Sequence, residues 1–270
     1  MSAVLLRHTL TAGRWRLLAV AVGIATWGFL LPVVYATFGA EIRRVVEGGY
    51  LSDLLDALTA IGGGSVFTLD GSIALSFVHP ISIALVAVFA IGHPIAALAG
   101  ERQRGTLEVL LARPISRRRV YVTALAATFL FVAVVMAANL GGVVAGATLF
   151  DVADELRMDR LLVVWANAVL LFTTLGALAL AASASFHRVV PALGIVLAFT
   201  IASYAVELLG ALWPDIAGWR PWSFFHYFQP AEIMAGDASP GDAVVLAGIT
   251  AAAVAFGLWI FPRRDLAAPS

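Results

Sequence analysis

The sequence of 270 residues contains no cysteine and no lysine; all 17 of its basic residues are arginine. Without cysteine there are no disulfides, thiolate nucleophiles, Cys-ligated zinc or iron–sulfur clusters. Without lysine there is no phosphate-loop lysine, no Schiff base and no lysine general base. Charge is scarce altogether, at 13% of residues against about 25% in soluble domains. Hydrophobic residues make up 61% and the mean hydropathy is +0.94. Basic and acidic residues balance at 17 each, so net charge points to no nucleic-acid partner. This is the composition of a membrane protein that carries no ATP-binding loop of its own.

Stretches free of Asp, Glu and Arg, one of them interrupted by Glu207 alone, define six spans at about 17–39, 72–99, 120–150, 161–184, 190–213 and 243–261. Each supplies the roughly 20 apolar residues that a helix needs to cross the hydrocarbon. Backbone groups in lipid must be satisfied within the segment, so the expected class is an all-α integral membrane protein. The third span is long for one crossing; it is expected to start in the interface or to bend near Gly141-Gly142, where a neighbour could pack closely. The first apolar run exceeds the ~7–15 residues of a signal-peptide core, so it is read as a retained span.

Orientation follows from arginine. One side receives Arg7, Arg14, Arg16, Arg102, Arg104, Arg113, Arg117, Arg118, Arg119, Arg188, Arg263 and Arg264; the other receives only Arg43, Arg44, Arg157, Arg160 and Arg220. The richer side is expected to be cytoplasmic, with both termini there. Residues 1–16 read as an amphipathic helix on the inner leaflet, 17–262 as one six-span domain and 263–270 as a short tail. In the first outer loop, Leu51, Leu54, Leu55 and Leu58 predict a helix over Tyr50–Ile61, stopped by Gly62-Gly63-Gly64. The last outer loop concentrates Trp219, Trp222, Phe224, Phe225, Tyr227 and Phe228, which predicts a re-entrant or interfacial hairpin.

The loop between spans two and three is the most informative. Gly105 breaks the second span, and Thr106 is expected to cap a new helix. Leu107, Leu110 and Leu111 then form one apolar stripe. Pro114 ends that helix, and Ser116 can cap the third span. Two turns are marginal alone in water, so docking onto something else is expected to hold it. Arg117, Arg118 and Arg119 oppose the macrodipole at the next helix start. Anionic headgroups or an acidic partner surface would offset that.

Glu101-x-x-x-Gly105-Thr106-Leu107-Glu108-x-Leu110-Leu111-x-x-Pro114-Ile115-Ser116-Arg117 resembles the coupling segment of type-2 ABC transporter permeases, the exporter membrane subunits. Six spans, Ser223-Phe224-Phe225-His226-Tyr227 before the last of them, and the closing Phe261-Pro262-Arg263-Arg264-Asp265-Leu266 extend the resemblance over most of the chain. It implies a transporter subunit, not itself an enzyme, that dimerises with a second copy or a homologue in the cytoplasmic membrane. It implies no cofactor in this chain: a separate ATPase subunit would bind ATP and Mg. Glu101, Gly105, Thr106, Leu107, Glu108, Leu110, Leu111, Pro114 and Arg117 would form the docking segment, with the leucines inserted into the ATPase.

Glu207 is the one acidic or basic residue deep in a span, and His79 lies at a similar depth, roughly 10 Å below the outer surface at ~1.5 Å per residue. They could pair in a pathway or gate, or each could snorkel or bond a backbone carbonyl. Asn139 and Asn167 are expected to bond between helices. Metal binding by His79 and His93, about 20 Å apart, is not expected. Two rival functions stand beside export. One is a mechanotransmitting subunit acting on an extracytoplasmic protein, as in nitrous oxide reductase maturation, which Tyr50–Ile61 could serve. The other is a lipid-processing enzyme, which would need a carboxylate or histidine cluster at the span ends; none is evident there.

Overall fold

The computed structural model describes residues 2–47, 68–112 and 114–264, and within 40–47 the backbone alone. The helix anticipated over Tyr50–Ile61, Arg113 and the tail from Asp265 lie outside the described residues. The helices are α1 (Ala3–Glu47), α2 (Leu69–Val78), α3 (Pro80–Gln103), α4 (Thr106–Leu111), α5 (Arg117–Leu149), α6 (Met158–Ser185), α7 (Val189–Leu212), α8 (Pro230–Ala235) and α9 (Pro240–Arg263). Between α7 and α8 run two 3-10 segments, Pro214–Trp222 and Phe224–Tyr227. No strand occurs among the described residues. Among the described residues six helices are long and apolar enough to cross a membrane: α1, α3, α5, α6, α7 and α9.

The core is built around α6, the most enclosed of the six, whose Phe172 shares one buried cluster with Phe77, Phe89, Phe131 and Met136 from α2, α3 and α5. The peripheral α1, α7 and α9 turn apolar side chains outward, such as Leu18, Ile201 and Phe256. A helix that is apolar all round suits a lipid-facing position, because lipid carries no penalty for it.

Three elements differ from expectation. Residues 3–16 are no separate helix: α1 runs 45 residues without a break, about 65 Å at 1.5 Å per residue. Its first turns are held alongside α5, where Ser2 N donates to Thr123 Oγ1 at 2.9 Å and Leu6 and Leu10 pack on the core. The third span has no break at Gly141-Gly142; α5 is one 33-residue helix that begins at Arg117. Gly142 and Gly146 instead let the α1 backbone approach, since a Cβ at either would strike the carbonyls of Ala25 and Phe29. The second span is divided at His79, whose extended backbone (ψ 143°) separates α2 from α3.

The physical cause of that division is Pro80. Lacking an N–H, it cannot donate to Ser76 O, four residues back. Three groups replace the missing donor: Trp27 Nε1 at 3.2 Å, Asn139 Nδ2 at 3.4 Å and Ser82 Oγ at 2.5 Å. Further along α3, wide π turns at Val88–Gly92 and Ala96–Gly100 flank His93-Pro94. Pro94 removes another ladder donor, and wide turns are a usual accommodation.

Candidate functional site

The end of the bundle carrying α4 is built on Gly105, which takes the left-handed conformation (φ 72°) that reverses the chain after α3. The reversal is braced by Glu101. Its carboxylate accepts from the Thr106 hydroxyl and from the Arg104 guanidinium, and its carbonyl accepts from Thr106 Oγ1 at 3.1 Å. Thr106 therefore does not cap α4 as expected; its hydroxyl is directed back to the end of α3. Ser116 does cap α5, accepting from Arg119 N at 3.3 Å. Gln103 Oε1 accepts from Val189 N at 2.9 Å, tying this end of α3 to the start of α7. Arg117 Nη1 donates to the carbonyls of Pro262 (3.3 Å) and Arg264 (2.5 Å), tying the start of α5 to the end of α9.

Leu107, the first leucine of the stripe, turns inward rather than toward a partner. Leu107 is fully buried (0% exposed) in a cluster with Leu98, Val120, Tyr121, Leu180 and Phe261, and Leu110 and Leu111 pack partly on the same cluster. Packing inside the chain buries Leu107 completely and leaves Leu110 and Leu111 half-buried. What α4 presents outward is Val109, 70% exposed, with Glu108 and Ala112. Pro114 is exposed just beyond.

At the opposite end, the segment from Trp213 to Gly236 folds back over the end of α7. Its aromatic residues divide in two. Trp213, Trp219 and Trp222 face outward, while Phe224, Phe225 and Phe228 enter the core. Within this cover, Glu207 Oε1 accepts from Arg220 Nε (3.0 Å) and Nη2 (2.5 Å), and from Gln229 Nε2 (3.3 Å). Its Oε2 faces His226 Nδ1 at 3.5 Å. A carboxylate inside an apolar span is costly unless paired, and Arg220 pairs it.

Glu207 and His79 are thus not brought together. The two helices are neighbours, for Tyr204 Oη on α7 reaches Val78 O at 3.5 Å. His79, however, is committed elsewhere. Its Nδ1 accepts from Ile81 N at 3.2 Å, capping α3, and its ring packs on Trp27 at 4.6 Å. Sequence reasoning missed Arg220, His226 and Gln229. The available signal was the need of a carboxylate in an apolar run for a cation, with Arg220 only 13 residues on. Asn139 bonds between helices, whereas Asn167 bonds back to Val163 O at 2.9 Å on its own helix.

A further polar contact braces the α3 segment that leads into α4. Ser183 Oγ on α6 accepts from Ala99 N (2.9 Å) and donates to Ile95 O (3.2 Å), entering the ladder where these two would otherwise bond each other. Among the described residues no group of His, Asp and Glu could hold a metal ion.

No curated protein matches this chain. The family model described as ABC-2 family transporter protein matches residues 23–266, from within the first span to just past the last. Six apolar helices and that match together place the chain in the ABC-2 transporter family, as a multi-pass membrane permease subunit of an ABC transporter.

Proposed function

We propose that this chain dimerises and forms the membrane half of an ATP-driven exporter in the cytoplasmic membrane, with both termini and α4 on the cytoplasmic side. A separate ATPase docks against α4 and hydrolyses ATP there; this chain supplies the docking surface and the moving spans. The observation that carries the reading is the bracing of α4. Glu101 joins it to α3, Gln103 joins the same corner to α7, and Arg117, at the start of the next helix, is joined to the end of α9. A push on α4 is thereby shared among four spans, α3, α5, α7 and α9, as a rigid-body switch requires. Leu107 acts as the anchor inside the membrane subunit, and Val109 with Glu108 forms the contact offered to the ATPase. At the other end, Glu207 fastens the hairpin through Arg220, a contact suited to an outer gate, and His79 marks the break between α2 and α3 about which that end can bend.

Co-expression with candidate ATP-binding-cassette ATPase subunits, and selection of one that co-purifies with the wild-type chain, tests the reading. Val109→Asp is expected to leave the chain folded and inserted but to release the ATPase, since an unpaired carboxylate in an apolar groove costs several kcal/mol. Full retention of the ATPase by this variant refutes the assigned docking face.

A further inference from the structure

Where the ends of α3, α6 and α9 meet the start of α5, cations gather, and among the described residues Arg102 and Arg117 have no carboxylate partner. Arg102 is only 9% exposed; its Nη1 donates to Phe186 O at 2.6 Å, its guanidinium lies 5.9 Å from the Phe261 ring centroid, and its Nε has no partner. Among the described residues Arg117 donates to the carbonyls of Pro262 and Arg264. His187, next to Phe186, lies below its ordinary pKa through desolvation and then through the charges of Arg102 and Arg264. Among the described residues the arginine–carboxylate pairs are Arg104–Glu101, Arg157–Asp70 and Arg220–Glu207, and neither Arg102 nor Arg117 belongs to one. Carbonyl contacts at helix ends offset part of the positive charge. Among the described residues they leave guanidinium donors, including the nearly buried Arg102 Nε, without an anion.

The depth of the cluster identifies the anion's source. Trp259, 52% exposed on α9, carries Arg263 stacked over its ring at 5.1 Å, with Arg263 Nη1 donating to Trp259 O at 2.8 Å. Half-exposed tryptophan with a folded-back arginine is the arrangement of a helix end at the headgroup layer. We infer that Arg102, Arg117, His187 and Arg264 form a binding site for the phosphate of an anionic lipid in the leaflet on the α4 side. Arginine suits this ligand because its planar fork matches phosphate oxygens. The bound phosphate would join α3, α5, α6 and α9 through one anion, at the corner from which α4 projects.

The full chain in neutral detergent, supplemented with phosphatidylglycerol, phosphatidylcholine or inorganic phosphate, tests this by thermal unfolding and by native mass spectrometry of retained lipid. Phosphatidylglycerol is expected to raise the midpoint and to remain bound, phosphatidylcholine to do neither. Arg264→Gln is expected to lose at least half of that shift, and Arg7→Gln, on an exposed part of α1, to keep it. An equal shift in Arg264→Gln and wild type overturns the site. If Arg264→Gln does not fold, His187→Gln, at an exposed position, is read in the same way. A shift given in full by inorganic phosphate overturns the lipid as its source. Lipid retention that arises only in Asp265→Asn also overturns the proposal, because a carboxylate of this chain would then be the anion.

Discussion

Asn139 on α5 donates to both oxygens of Ser76 on α2, the carbonyl at 3.4 Å and the hydroxyl at 3.3 Å. The carbonyl is the one that Pro80 deprives of its helical donor, so a side chain from another span completes the ladder. Replacing Asn139 with Ala is expected to cost about 1 kcal/mol, since Trp27 and Ser82 still serve that carbonyl. Combining it with Trp27→Phe is expected to cost more than the sum, because the two donors share one acceptor. Thermal unfolding of the four proteins in one detergent measures both; strict additivity would show that the donors are independent.

Glu207 and Arg220 form the second relationship open to a double-mutant cycle. Glu207→Gln and Arg220→Gln are each expected to destabilise the hairpin by about 1–3 kcal/mol, with the double variant little worse than either single one. His79→Gln should add independently to Glu207→Gln, because His79 caps α3 and touches Trp27 instead. Limited proteolysis near Asp237 reports hairpin release. Non-additivity between His79 and Glu207 would contradict their separate commitments.

Ser183→Ala leaves Ala99 N and Ile95 O to find each other or to stay unpaired. Either α3 tightens or two buried groups lose their bonds, at about 1–3 kcal/mol for a group left unsatisfied. Because α3 leads into α4, transport is expected to fall while ATPase docking persists. Unchanged transport together with unchanged stability would remove Ser183 from the coupling path.

Leu107→Ala is expected to cost about 2–5 kcal/mol through the cavity left in a fully buried cluster. This contrasts with Val109, where truncation should leave stability within about 0.5 kcal/mol. Equal stability losses at the two positions would mean that α4 is rotated about its axis and does not turn Leu107 inward and Val109 outward.

For orientation, cysteine at Asp237 in the hairpin and cysteine at Arg104 beside α4 provide opposite reporters, both exposed. In intact cells a membrane-impermeant thiol reagent is expected to reach the first without permeabilisation and the second only after it. The reverse pattern would place α4 outside the cell.

Apolar runs of about 20 residues can be satisfied in only one way in lipid, so the number and helical nature of the spans, and the family, were legible in the chain itself. So was Gly105 as a turn, because a reversal at positive φ has few other candidates. Direction within a helix was not. The stripe Leu107, Leu110 and Leu111 is equally apolar whether it meets a partner or its own core. Only the packing of α5, α6 and α9 around Leu107 turned it inward. The partner of Glu207 was likewise undecided at the level of depth. His79 and Glu207 have comparable depths by residue count, but the imidazole is committed to capping α3, while the fold-back of the hairpin delivered Arg220. Sequence periodicity sets which face of a helix is apolar; which neighbour meets that face is fixed by tertiary contacts between spans far apart in the chain.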